Sequence, residues 1–204
     1  MTNPSRPDPT NTRASLLFRL KPGTPAREVA WVEFYDRYAP IISGFARKFG
    51  LPAQDVQDLV QEILIGFFTT VPQFEYDPSK GSFRAYLKTC TIRACARYMK
   101  KATRFAGSSI QSLDPADEAV ERAWSDVWET EKLRRALDTV RQNCLKREDR
   151  AKTFRAFEMY VLLERPVDEV AAELAISTDS VHQAKTRISR ALREAVAALE
   201  TEGE

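Results

Sequence analysis

Residues 167–192, VDEVAAELAISTDSVHQAKTRISRAL, form the stretch that constrains the fold most tightly. Apolar or small residues recur where two packed helices joined by a tight turn need them: Val170, Ala171, Leu174, Ile176, Val181 and Ala184. Ser177 is a favourable N-cap for the second helix, and Asp179 complements its positive end. The pattern predicts a helix-turn-helix. Ala175 stands at the turn position often held by glycine, where a left-handed backbone would cost roughly 1 kcal/mol.

The second of these helices has one apolar face and one polar, basic face. Its polar face is predicted to consist of Ser180, His182, Gln183, Thr186, Arg187 and Arg190. Side chains of these types read base edges and hold phosphates when a helix lies in the major groove of DNA. We expect this face to bind DNA. The alternative is a plain three-helix domain whose basic face is only solvated.

Three further helices are predicted towards the N-terminus, starting near Trp31, Val56 and Phe83, from apolar residues at steps of three and four. The middle helix carries Asp55, Asp58 and Glu62 on its other side. The predicted fold class is all-α: two small helical domains joined by a flexible acidic linker. The predicted boundaries are a disordered tail over 1–13, a domain over 14–104, the linker over 105–130 and a domain over 131–200.

Composition excludes several classes of protein. The 31 basic and 29 acidic residues nearly balance at +2, and three cysteines with one histidine are too few for a disulfide framework or a zinc site. A glycine-rich phosphate loop and a nucleophile–base pair are also absent from the sequence. We expect no metal, cofactor, small-molecule substrate or catalysis. The absence of a long apolar run or signal peptide predicts a cytoplasmic protein without membrane contact.

Charge is distributed in blocks along the chain. The stretch from Ser79 to Arg104 contains basic residues and no acid, and the stretch from Asp114 to Glu131 is mostly acidic. Basic residues return between Lys185 and Arg193. Two basic segments separated by an acidic one suggest that the chain holds a polyanion at two places.

Two motifs in the first domain resemble a known family. Residues 55–64, DVQDLVQEIL, resemble region 2.2 of bacterial sigma factors, and residues 81–87, GSFRAYL, resemble the start of their regions 2.3 and 2.4. The helix-turn-helix is similar to their region 4. With two such domains and a short connector, the chain resembles the extracytoplasmic-function group of the sigma-70 family.

This resemblance implies partners and residue roles. Region 2.2 would bind the β′ clamp helices of core RNA polymerase through Asp55, Asp58, Gln61 and Glu62, whose spacing suits bonds to arginine. The following segment would bind the −10 promoter element through Lys80, Ser82, Arg84, Lys88, Arg93 and Arg97. Region 4 would read the −35 element through the polar face described above and pack against the β flap. Many relatives are also held silent by an anti-sigma protein.

The expected function is therefore that of a sigma factor, which directs core RNA polymerase to promoters and helps to melt them. The helix departs from the family pattern at two places, because Ile92-Arg93 stands where Arg-Asn is common and Arg97 stands where aspartate is common. Together these changes make the surface more cationic. The alternative is a stand-alone helix-turn-helix regulator that does not bind core polymerase and has no need of the Asp55–Glu62 face.

Overall fold

The computed structural model describes residues 12–71, 82–106, 114 and 117–201. The helices are, in chain order, α1 Thr12–Arg19, α2 Arg27–Lys48, α3 Ala53–Thr70, α4 Phe83–Ala106, α5 Glu118–Leu145, α6 Glu148–Phe157, a π-helical turn Glu158–Leu162, α7 Val167–Leu174 and α8 Thr178–Thr201. These described residues include no strand, and the predicted all-α fold class is confirmed. The chain divides into two compact units between Glu131 and Lys132.

The first unit is built around an aromatic cluster contributed by α2, α3 and α4. Phe34 stacks on Phe67 with ring centroids 4.9 Å apart, and Phe83 meets Phe67 edge-on at 5.4 Å. All three rings are buried. The chain leaves α2 through Gly50, whose φ of +78° lies in the left-handed region that glycine adopts without strain.

The N-terminal end of this unit also contributes to its core. The helix α1 begins at Thr12, so Thr12 and Arg13 are helical although they fall in the predicted tail, whose other residues lie outside the described ranges. Leu16, Leu17 and Leu20 are buried against the other helices. This short helix was not among those predicted from the sequence.

The structure differs from the predicted linker over residues 118–130, which are helical and belong to the first core. Val120, Ala123 and Trp124 are buried, because apolar residues recur there at helical spacing beneath the acidic ones. The helix α5 packs closely against α2, because a Cβ built on Gly44 of α2 would lie 3.0 Å from a methyl carbon of Val127 of α5. Glycine at this position lets the two helices meet.

The second unit contains the rest of α5 together with α6, the π-helical turn, α7 and α8. Val170, Val181 and Met159 are buried in one apolar cluster, and Phe157 and Ile188 are buried in another. The predicted helix-turn-helix corresponds to α7 and α8. None of the helices in the described ranges is both long and apolar enough to cross a membrane.

Candidate nucleic-acid and partner interfaces

The predicted polymerase-binding residues lie on α3. Asp58, Gln61 and Glu62 are exposed and Asp55 is half-buried, so this set of side chains is accessible rather than part of the core. Helical periodicity continues the stripe into Ile65, which is 62% exposed. The surface is therefore mixed: carboxylates and an amide come first, and apolar side chains follow along the same face.

The α3 carboxylates contact the neighbouring helix α4. Glu62 forms an ion pair with Arg97, and its carboxylate accepts a hydrogen bond from the Tyr98 hydroxyl. The pKa of the Tyr98 hydroxyl is raised, mainly by burial and then by the nearby charges of Glu62, Asp58 and Asp55. The predicted polymerase-binding and −10-binding residues therefore touch at Glu62 and Arg97.

An apolar groove of about 430 Å³ lies between α2 and α3 in the first unit. Its lining includes Trp31, Val32, Tyr35, Leu64, Ile65 and Phe68. Several of these side chains are largely exposed, and an exposed apolar patch on a folded unit is typical of a protein-binding surface. The groove was not predicted from the sequence, although apolar side chains such as Val32 and Ile65 lie off the buried faces of their helices and are a signal for it.

The predicted −10-binding residues differ from one another in exposure and in their ion-pair partners. Arg93 is exposed on α4, and Arg97 is exposed but paired with Glu62. Arg84 and Lys88 instead face acidic residues of α5. Lys80 lies outside the described residues.

A side-chain N-cap explains why α4 begins at Phe83. The backbone N–H of Ala85 donates to the hydroxyl oxygen of Ser82 at 3.2 Å, so Ser82 caps the helix. Phe83 is buried in the core, as its place on the apolar stripe indicates. Tyr86 is half-buried against Phe67, and burial together with the neighbouring Cys90 raises its pKa to about 12.

The helix-turn-helix has the local geometry expected from its sequence. Ala175 adopts φ 49° and ψ 56°, the left-handed conformation that places α7 and α8 at an angle. The backbone N–H of Ser180 donates to the hydroxyl oxygen of Ser177 at 3.1 Å, which confirms the predicted N-cap. The structure thus accepts a strained alanine where glycine would be free of strain.

The predicted reading face of α8 is accessible. His182, Gln183, Thr186, Arg187 and Arg190 are exposed, and Ser180 is half-buried with its hydroxyl 2.9 Å from that of Ser177. The exposed five recur at helical spacing and so lie on one face. Their partners are local and easily exchanged: Gln183 lies 3.5 Å from Arg187, and Glu194 lies 3.9 Å from Arg190.

Tyr160, in the π-helical turn, packs against the predicted reading face of α8, a contact that the sequence pattern does not indicate. Its ring meets the ring of His182 edge-on at 5.4 Å, and the ammonium of Lys185 lies 5.6 Å from its centroid. Tyr160 therefore supports two side chains at the start of α8. Among the residues that the structure describes, no His, Cys, Asp and Glu side chains cluster as metal ligands would.

One family model matches part of the first unit. Residues 34–105 match the model of Sigma-70 region 2, and they span α2 from Phe34 onwards, α3 and α4. A search of curated proteins found no match. The solved structure of CnrH in complex with the cytosolic domain of CnrY is similar at 18% identity and a TM-score of 0.37, covering 92% of this chain and 98% of that one. Residues 34–105 are therefore similar to region 2 of the sigma-70 family.

Proposed function

We propose that this protein is a sigma factor of the extracytoplasmic-function group. It binds core RNA polymerase, recognises the −10 and −35 elements of its promoters and helps to open the duplex. The observation that supports the proposal is the combination, in the same chain, of a match to the Sigma-70 region 2 model over residues 34–105 and an accessible helix-turn-helix. Since it acts together with RNA polymerase, its place of action is the cytoplasm.

The polymerase contact is proposed for α3. Asp58, Gln61 and Glu62 offer a carboxylate–amide–carboxylate set at helical spacing, which suits charge-assisted bonds to the arginines expected on the β′ clamp helices. The apolar groove beside this set adds surface of the kind that protein interfaces bury. A stand-alone DNA-binding regulator has no use for either feature.

The DNA contacts are proposed for α4 and α8. Arg93 and Arg97 give α4 exposed cations for the backbone of the melted −10 strand. On α8, Arg187 and Arg190 are placed for phosphates or guanines, and His182, Gln183 and Thr186 for base edges of the −35 element. Core polymerase and promoter DNA are thus the principal partners, and an anti-sigma protein is the proposed regulator.

Run-off transcription tests this proposal. Purified chain and core polymerase are incubated with a promoter library, and the templates that yield transcripts are sequenced. We expect transcripts only when both proteins are present, from templates that share two separated elements. Arg187→Ala/Arg190→Ala is expected to weaken promoter binding tenfold or more, since each good base or phosphate contact is worth about 1–3 kcal/mol, while polymerase association persists. Failure of the intact chain to support any transcript would favour the stand-alone regulator.

A further inference from the structure

We infer that residues 118–131 of α5, here called the mask, form an autoinhibitory element of the first unit. Carboxylates of the mask hold Arg84 and Lys88 of α4, two of the cations that the family resemblance assigns to the −10 element. This inference rests on that proposed role of α4. It adds that part of the −10 surface is already occupied by the chain itself.

Two cations of α4 are in contact with the mask. The Lys88 ammonium forms an ion pair with Glu121. The guanidinium of Arg84 donates to the Ser125 hydroxyl at 3.2 Å and lies 3.9 Å from a carboxylate oxygen of Glu129. The sequence shows the acids and the bases as separate blocks, and the fold brings them together.

The mask also shields these cations from solvent. The side chains of Arg84 and Lys88 are 32% and 21% exposed, whereas that of Arg97 is 61% exposed. A phosphate approaching Arg84 or Lys88 must therefore displace a carboxylate. Arg93 is exposed, and Arg97 is 61% exposed although it pairs with Glu62 of α3, so both are more accessible to a first contact with DNA than Arg84 and Lys88.

Apolar packing, rather than charge, holds the mask in place. Trp124 is fully buried and meets Phe45 edge-on at 5.5 Å, and Trp128 packs against Tyr38 with ring centroids 6.4 Å apart. The Arg84 guanidinium lies over the Trp128 ring at 5.0 Å. Neutralising the carboxylates should therefore release the cations without detaching the helix.

Ion pairs of this exposure contribute little individually, so the inhibition is modest and reversible. Release of two of them should strengthen DNA binding by roughly three- to thirtyfold. The salt dependence of the DNA-binding constant provides a second, independent measurement. Each additional phosphate contact steepens the slope of log K against log salt by about 0.7 on single-stranded DNA, or about 1.4 for two.

The test uses the full chain with Glu121→Gln/Glu129→Gln and a fluorescent single-stranded oligonucleotide, with anisotropy followed over a salt series. The matched control is Glu118→Gln/Asp138→Asn, which changes the net charge equally. Its two carboxylates pair with Arg122 and Arg134 of their own helix. We expect tighter binding and the steeper slope in the first variant, and a smaller gain with an unchanged slope in the control.

Adding Arg84→Gln/Lys88→Gln to the first variant should return both quantities to about the wild-type values, which locates the gain on α4. Equal gains in the first variant and the control would overturn the inference and leave the proposed function standing. No binding by any chain at low salt would instead contradict the DNA-binding role of α4, and the mask with it. A shift of the tryptophan emission of Glu121→Gln/Glu129→Gln towards that of exposed indole would also overturn the inference. It would mean that the apolar packing of Trp124 and Trp128 does not hold the mask in place without its carboxylates.

Discussion

Ala175 is the residue at which the helix-turn-helix concentrates backbone strain. Its φ of 49° and ψ of 56° place a Cβ in the left-handed region, where an L-residue is about 1–2 kcal/mol less favourable than in the right-handed one. Glycine would relieve that cost but would lose more conformational entropy on folding, by roughly 0.5–1 kcal/mol. The first effect is the larger.

Ala175→Gly is therefore expected to stabilise the second unit by about 0.5–1 kcal/mol. Denaturant unfolding followed by circular dichroism, with hydrogen exchange of α7 and α8 peptides, measures the change. Ala172→Gly is the control because Ala172 lies within α7 and is exposed, and there glycine should cost about 1 kcal/mol. A loss of stability in both variants would contradict the strain at the turn.

At the scale of elements, α5 is where local sequence pattern and fold diverge. Its residues 118–131 are acidic enough to resemble a solvated connector, yet Val120, Ala123 and Trp124 form an apolar stripe that packs on α2. The linker was predicted from the many acidic residues of this segment. Burial of its apolar residues contributes more to the free energy of folding than its charges do, so the segment packs as a helix. The first unit thus extends beyond the residues matched by the family model.

Trp124→Ala should destabilise the first unit by about 3–5 kcal/mol, since a fully buried indole leaves a large cavity. The chain's three tryptophans, Trp31, Trp124 and Trp128, all belong to this unit, so the emission of the remaining two reports its unfolding. Leu133→Ala on the same helix is the control. Leu133 is 55% exposed, and its loss should change stability by less than about 0.5 kcal/mol. Equally small losses of stability in Trp124→Ala and Leu133→Ala would show that residues 118–131 of α5 do not belong to the core of the first unit.

The sequence predicted those elements whose apolar period is uninterrupted. The starts of α3, α4 and α8 and the Ser177 cap follow from local pattern, and the structure has them as expected. The pairing of Lys88 with Glu121 and of Arg97 with Glu62 did not follow, because each joins residues more than thirty positions apart. Long-range contacts of this kind depend on packing geometry that a periodic pattern does not contain.

At the scale of the whole molecule, one chain carries a proposed polymerase surface and two proposed DNA surfaces. The helix-turn-helix lies in the second unit, and α3 and α4 lie in the first. Within the first unit, the proposed polymerase surface and the proposed DNA surface adjoin at the Glu62–Arg97 ion pair. Changing Glu62 therefore also changes the surroundings of Arg97, and any test of α3 must separate these two effects.

Core polymerase binding by charge-reversed α3 tests the central claim most directly. Asp58→Lys/Glu62→Lys should weaken co-purification with core polymerase by tenfold or more, with the circular dichroism of the wild type retained. Two controls should bind as the wild type does: Arg97→Gln, which removes the same ion pair but keeps both carboxylates, and Glu118→Lys/Asp138→Lys, which makes the same charge change elsewhere. Undiminished polymerase binding by Asp58→Lys/Glu62→Lys would contradict the account.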